Sequence, residues 1–125
     1  MKTIIINADC PRISDVNIGR QGENEYREIQ IHFPRWLKEW PGATVSAVYW
    51  RPDGKNIIIE SGTTESPIIW HPTKTDLAVD GIGQVELRLT RGETRGKKPP
   101  IRVHIRATPR EGDDPPESER KATAG

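Results

Sequence analysis

Strict alternation of apolar and polar residues in three short segments is the feature that most constrains the fold of this chain. In 28–33, 84–90 and 101–106 every second residue is Ile, Val, Leu or Phe, and the residues between them are polar or charged. Because successive side chains of a strand point to opposite faces, each segment is predicted to be a strand with one buried and one wet face. Antiparallel sheets that pack face to face are built from such strands.

Weaker strand signals and turns fill the rest of the chain. The turn RPDGK at 51–55 has a proline that presets φ and a glycine that accepts positive φ. Segments 34–42 and 73–79 break the alternation, and each is long enough for only about one helical turn. The weaker strand candidates lie at 2–7, 13–19, 43–51, 56–60 and 67–71. The sequence therefore predicts an all-β fold, an antiparallel β-sandwich (immunoglobulin-like or jelly-roll-like) of seven to eight short strands.

The composition changes after Thr108. Residues 1–108 carry the strand pattern and are predicted to form the sandwich domain. Residues 109–125, PREGDDPPESERKATAG, contain no large apolar side chain and carry five acidic against three basic residues. A segment of this composition cannot bury enough apolar surface to fold alone. It is predicted to be either a solvated tail or linker, or a strap that becomes ordered on a partner.

The residue pattern gives no support for catalysis or for a bound cofactor. The glycine-containing stretch at 19–24 precedes a strand, so it lacks the helix N-terminus with which phosphate loops bind anions. The lone Cys10 excludes an internal disulfide and a cysteine-based zinc site. His32, His71 and His104 are isolated, without the spacing of metal ligands. We therefore expect no enzyme, no cofactor and no metal.

Membrane and nucleic-acid partners are also not expected. The run of three isoleucines at 4–6 is too short to span a bilayer and too polar in its surroundings for a signal peptide. The formal net charge is only +1, so no global field attracts nucleic acid or a membrane surface. The chain is predicted to be soluble and to be made without a secretion signal.

Basic residues are concentrated near the end of the strand region. Eight of the nineteen lie between positions 88 and 110, against the single acid Glu93. If strands 84–90 and 101–106 pair, Arg88, Arg102 and Arg106 project from one face, where like charges need acidic neighbours. Three sources could supply the balancing negative charge: the chain's own acids, an acidic protein partner or nucleic acid. Nucleic acid is disfavoured because no aromatic residue interleaves with the cluster.

Two apolar features leave a choice between a structural role and an interface. Trp36 and Trp40 are four residues apart in the short 34–42 turn, where they either cap one end of the sandwich or anchor another subunit. The N-terminal segment 2–7 either closes its own sheet or adds to the edge of a neighbouring sheet.

Three stretches, taken in order, resemble a known family. They are VNIGRQGENEYREIQIHFPRWLKEWPG, AVYWRPDG and IIWHPTKTDLAVDGIGQVELRLT. Their order and spacing over roughly residues 13–108 are similar to the N-terminal β-sandwich domain of virion proteins from phages of Gram-positive bacteria. That family includes baseplate upper proteins and head fibres, in which the domain docks a fibre or receptor-binding module onto the particle.

The resemblance implies a virion structural protein, made in the host cytoplasm, that binds other virion proteins. A capsid decoration subunit or the base of a head fibre is the first expectation, and a baseplate or tail adaptor is the alternative. Relatives continue into a coiled coil or a binding head where this sequence ends at Gly125, which disfavours a receptor-binding role. A homo-oligomer, such as the trimers common among such relatives, is a further expectation. The alternative from another class is a carbohydrate-binding module, because β-sandwiches often present tryptophans to sugars.

The candidate interface residues come from three places in the sequence. The stretch at 19–24 is predicted to be a tight turn or bulge whose glycines supply backbone freedom and whose polar residues face a neighbour. The tryptophan pair and three arginines of the basic region complete the set. The candidates are Arg20, Gln21, Glu23, Trp36, Trp40, Arg88, Arg102 and Arg106.

Overall fold

Two β-sheets face each other in the computed structural model, which describes residues 2–9 and 15–108. That part of the chain forms nine strands and one short helix. In chain order they are β1 (Lys2–Asn7), β2 (Val16–Arg20), β3 (Arg27–His32), α1 (Pro34–Glu39), β4 (Thr44–Trp50), β5 (Asn56–Thr63), β6 (Ile68–Trp70), β7 (Gly81–Arg91), β8 (Thr94–Lys97) and β9 (Ile101–Arg106).

The all-β sandwich expected from the alternation is confirmed. The smaller sheet has the strand order β1-β3-β6, and the larger has β2-β9-β7-β4-β5, with β8 paired to one end of β7. The pairing of β7 with β9 is antiparallel and places Gln84 opposite Arg102. The pairing expected between the alternating segments 84–90 and 101–106 is therefore present.

The alternating side chains form the core between the sheets. In β3 the isoleucines are buried and the polar residues between them are partly buried; β7 and β9 alternate in the same way, and the polar residues of β9 are exposed. Fully burying one such side chain stabilises the fold by about 1.5–3 kcal/mol. The largest side chains that are almost completely buried are Tyr49, Phe33, Ile18, Ile29, Ile31, Leu77, Leu87, Leu89, Ile105, Val45 and Val85.

Two strand pairs are parallel, where the sequence led us to expect antiparallel sheets throughout. β1 lies parallel to β3, with Ile4 opposite Ile29, and β2 lies parallel to β9, with Val16 opposite Val103. Parallel neighbours need a long crossover connection. Between β1 and β3 this connection includes β2, which lies between them in the chain and belongs to the larger sheet. The N-terminal strand thus pairs within its own sheet.

The helix α1 occupies the segment in which one helical turn was expected. Pro34 opens it and suits the first turn, where a backbone N–H would have no helical partner. The Trp40 N–H donates to the Trp36 carbonyl at 2.9 Å, and Pro41 follows directly. The side chain of Asp9 accepts the Arg35 N–H at 2.6 Å, which ties α1 to the end of β1.

Some expectations extend outside the described residues, and one strand was not expected. Strand 13–19 is seen as β2 from Val16 onward, whereas residues 13 and 14 are not described. Cys10 and the predicted tail 109–125 also lie outside the described residues, so the boundary at 108 stays a prediction. The unexpected strand is β8, which has no apolar alternation and takes its extended form from hydrogen bonding to β7.

Candidate interaction surface

The turn after β2 is held against a second loop that lies some fifty residues later in the chain. The Gln21 side-chain amide donates to the Ala78 carbonyl at 2.9 Å, and the Gly22 N–H donates to the Leu77 carbonyl at 3.0 Å. The Asn24 side chain accepts the Lys74 N–H at 3.0 Å. The IGRQGEN and TKTDLAVDG segments are therefore joined directly, and the Gln21 and Asn24 side chains hold loops together.

Gly19 is the residue of this turn with the most demanding backbone. Its φ is +146°, and the register between β2 and β9 shifts between Asn17 and Gly19. The expected bulge is thus present at the end of β2. Gly22 also has a positive φ, of +87°, as expected for a glycine that reverses the chain.

Asp76 is the buried polar centre of this end of the sandwich, and its residue is only 5% exposed. Its carboxylate accepts the Trp70 indole N–H at 3.1 Å and the Thr73 N–H at 3.0 Å. The Thr73 hydroxyl accepts the Asp76 N–H in return at 3.3 Å, which is the reciprocal arrangement of a capping box. Sequence reasoning missed Asp76, although the three-residue spacing of Thr73 and Asp76 was a usable signal.

Tyr49 and Arg51 bind backbone carbonyls of the same loop. The Tyr49 hydroxyl donates to the Asp76 carbonyl at 3.0 Å, and its ring packs on Trp70 with centroids 4.9 Å apart. Arg51 donates to the Thr75 carbonyl at 3.1 Å and forms an ion pair with Asp53, which holds the pKa of that carboxyl below its usual value. The RPDG turn is therefore also fixed to the crossover loop.

Burial of Tyr49 makes stability sensitive to high pH. Desolvation, and then the Asp76 charge, raise the pKa of Tyr49 above its ordinary value of about 10. The raised pKa favours the neutral phenol in the fold, so this stabilisation is complete below about pH 10 and is lost as the pH rises further. Between pH 9 and 11 we expect the free energy of unfolding of Tyr49→Phe to fall less than that of the wild type. Above pH 10 the difference between them should grow by up to about 1.4 kcal/mol per pH unit.

Denaturant unfolding at a series of pH values measures this difference. Tyr26→Phe is the matched control, because Tyr26 is 55% exposed and should retain the wild-type loss. Parallel alkaline curves for the wild type and Tyr49→Phe would contradict the assignment.

The two tryptophans of the α1 region are covered by cations. Trp36 is 7% exposed, belongs to the core and has the Lys98 ammonium 4.9 Å from its ring centroid. Trp40 is half-buried, with the Arg91 guanidinium 5.3 Å from its ring. This arrangement caps one end of the sandwich.

Two of the three candidate arginines have acidic neighbours in their own chain. Arg88 donates to Glu86 at 2.8 Å, and Arg102 forms an ion pair with Asp15 at 3.4 Å. Both project from the outer face of the larger sheet, as the alternation predicted. The chain's own acids thus account for part of the basic cluster.

Arg106 shares the exposed side of β9 with Arg102 but lies at the other end of the strand, among other cations. It is the cross-strand partner of Arg20 in the parallel β2–β9 pair, at the opposite end of β9 from the Trp36 region. Arg20, Arg106, Arg27 and Lys2 surround a space of about 270 Å³ at the seam between the two sheets, bordered by residues of β1, β2, β3 and β9. We call this space the basic notch. Its other lining residues are Thr3, Ile4, Asn17 and Gly19.

Glu23 borders the basic notch and orders its rim. Its carboxylate forms an ion pair with Arg27 and accepts the Arg20 N–H at 2.9 Å. The structure therefore brings together four of the predicted interface residues, Arg20, Gln21, Glu23 and Arg106, and adds Lys2 and Arg27. These two were missed because their positions in the chain are remote from the basic cluster.

The described residues contain no group of three or more His, Cys, Asp or Glu side chains placed to hold a metal ion. Within residues 2–9 and 15–108, no helix has the length and apolar character needed to cross a membrane.

Comparison with solved structures shows a structural likeness. The chain is similar to the N-terminal domain of phage TP901-1 ORF48, with a TM-score of 0.47 and 10% sequence identity over 85% of this chain and 96% of that chain. No protein-family model matches the sequence. No curated protein matches it either.

Proposed function

We propose that this protein is a structural component of a bacteriophage virion and that it binds other virion proteins through the outer surfaces of its sandwich. Within that class we favour a capsid decoration subunit or the base of a head fibre. A sandwich suits this work, because two packed sheets hold surface side chains in fixed positions and leave strand edges for added contacts.

The observation that carries the proposal is the convergence of the segments that carry the family resemblance. The IGRQGEN turn, the RPDG turn and the TKTDLAVDG crossover meet at one end of the sandwich. Their contacts are Gln21 to Ala78, Asn24 to Lys74 and Arg51 to Thr75. Residues that appear as separate motifs in the sequence thus form one hydrogen-bonded unit, which supports reading them together as the signature of a single domain type.

Immunogold electron microscopy of purified phage particles tests the proposal. We expect antibodies against the folded protein to label the head surface at many positions. Label confined to the end of the tail would favour the baseplate adaptor instead. Absence of label from particles whose lysate contains the protein would contradict both. Antibody preabsorbed with the purified protein provides the control.

A further inference from the structure

The basic notch concentrates positive charge without a carboxylate in its lining. Lys2, Arg20, Arg27 and Arg106 are four of its eight lining residues, and the remaining four are uncharged. Glu23 lies at the rim, where it is bonded to Arg27 and to the Arg20 backbone. Cations gathered in a concave site raise the local concentration of anions, and arginines bind carboxylates through paired, charge-assisted hydrogen bonds. The chemistry of the notch therefore fits an acidic peptide.

The last described residue of the chain lies beside the basic notch. The Gln21 N–H donates to the Arg106 carbonyl at 2.8 Å, and the Thr108 hydroxyl donates to the Gln21 carbonyl at 2.9 Å. Thr108, the last described residue, is thus held two residues beyond Arg106 and next to Arg20.

An acidic stretch begins three residues later. Residues 111–119, EGDDPPESE, contain five carboxylates and no cation. Three extended residues span about 10 Å, enough to bring Glu111 to a site beside Thr108. A short connection also keeps the effective concentration of such a segment in the millimolar range.

We propose that the basic notch binds the acidic segment 111–119 of the same chain. The carboxylates neutralise Arg20, Arg106 and Lys2. An acidic partner that uses the notch must first displace this segment. The proposal does not depend on where in a virion, or elsewhere, the protein works.

Amide NMR spectra of the full chain test the contact. The comparison is between the wild type and a neutral-tail variant with Glu111→Gln, Asp113→Asn, Asp114→Asn, Glu117→Gln and Glu119→Gln. We expect the backbone amides of Thr3, Asn17, Gly19 and Arg20 to differ between the two proteins. The difference should shrink in roughly 0.5 M salt, because screening weakens exposed charge pairs. Notch amides that coincide in the two proteins at low salt would overturn the proposal.

Dilution separates the chain's own segment from that of a second copy. A contact within one chain leaves the notch signals unchanged on ten-fold dilution. Signals that revert to the neutral-tail positions on dilution would show binding between copies and would overturn the assignment to the same chain.

A peptide with the sequence of residues 109–125 provides the second readout. It should shift the same amides of the neutral-tail variant, and it should bind the wild type at least ten-fold more weakly because the notch is already filled. Adding Arg106→Gln to the neutral-tail variant should abolish the shifts, whereas adding Lys97→Gln, on exposed β8, should leave them. Equal affinity for the wild type and the neutral-tail variant would contradict an occupied notch.

Discussion

Replacing Asp76 with alanine is expected to lower the free energy of unfolding by about 4 kcal/mol, because each of two donors loses a hydrogen bond to a charged acceptor, worth about 1.5–3 kcal/mol. The two donors are the Trp70 indole N–H and the Thr73 N–H, at 3.1 and 3.0 Å from the same carboxylate oxygen. For a domain of this size, such a change lowers the melting temperature by roughly 15 °C.

The effect should also pass to the neighbouring contacts. Tyr49 and Arg51 donate to the carbonyls of Asp76 and Thr75, so a loosened loop weakens their hydrogen bonds. Asp76→Asn keeps an acceptor oxygen and should lose less stability than Asp76→Ala.

Asp80→Ala is the matched control for this experiment. Asp80 lies four residues further along the same segment and is exposed, so its replacement should change stability by less than about 0.5 kcal/mol. Denaturant unfolding of the wild type and the three variants measures the differences. Similar midpoints for Asp76→Ala and Asp80→Ala would show that the buried carboxylate does not hold this end of the sandwich together.

The second large effect is expected at Gly19. An alanine there would have to keep a φ of +146°, and its Cβ would lie 2.8 Å from the Glu23 carboxylate and 3.3 Å from the Leu77 side chain. Leu77 is buried, and Glu23 is engaged with Arg27 and the Arg20 N–H, so neither side chain can move without losing contacts. Backbone strain and these losses together predict a destabilisation of about 3 kcal/mol for Gly19→Ala.

Gly22→Ala separates backbone strain from crowding. Gly22 also has a positive φ, of +87°, but no atom lies within 4 Å of a Cβ placed there. Its replacement should therefore cost only about 1 kcal/mol, the ordinary penalty for a left-handed residue with a side chain. If the two alanine variants unfold at the same denaturant concentration, the close packing around Gly19 is not what makes it necessary.

The alternation predicted which side chains are buried, because that property is local to a strand. Ile29 and Ile31 face the core, as do Val103 and Ile105. The direction of the neighbouring strand is not local, and alternation is the same for parallel and antiparallel partners. The parallel β1–β3 and β2–β9 pairs therefore could not be predicted from the pattern. β8 was missed because its residues do not alternate between apolar and polar, and its extended form depends on pairing with β7.

The candidate interface was predictable only in part. Arg20 and Arg106 could be named as candidates from the sequence, but their pairing depends on the parallel register of β2 with β9. Lys2 and Arg27 come to the notch through the smaller sheet, which the basic cluster did not indicate. Asp76 was overlooked because scattered acids are common in a chain with 30% charged residues. The three-residue spacing from Thr73 indicated a possible capping pair, but the burial of Asp76 is set by the fold and could not be predicted from that spacing.

Quantitative mass spectrometry of gradient-purified phage particles tests the proposed function most directly. If the protein is a structural component, it copurifies with the major capsid protein at a fixed ratio that does not change through repeated density gradients. A protein that is abundant in the lysate, yet falls away from the particles with each gradient, would contradict a structural role in the virion.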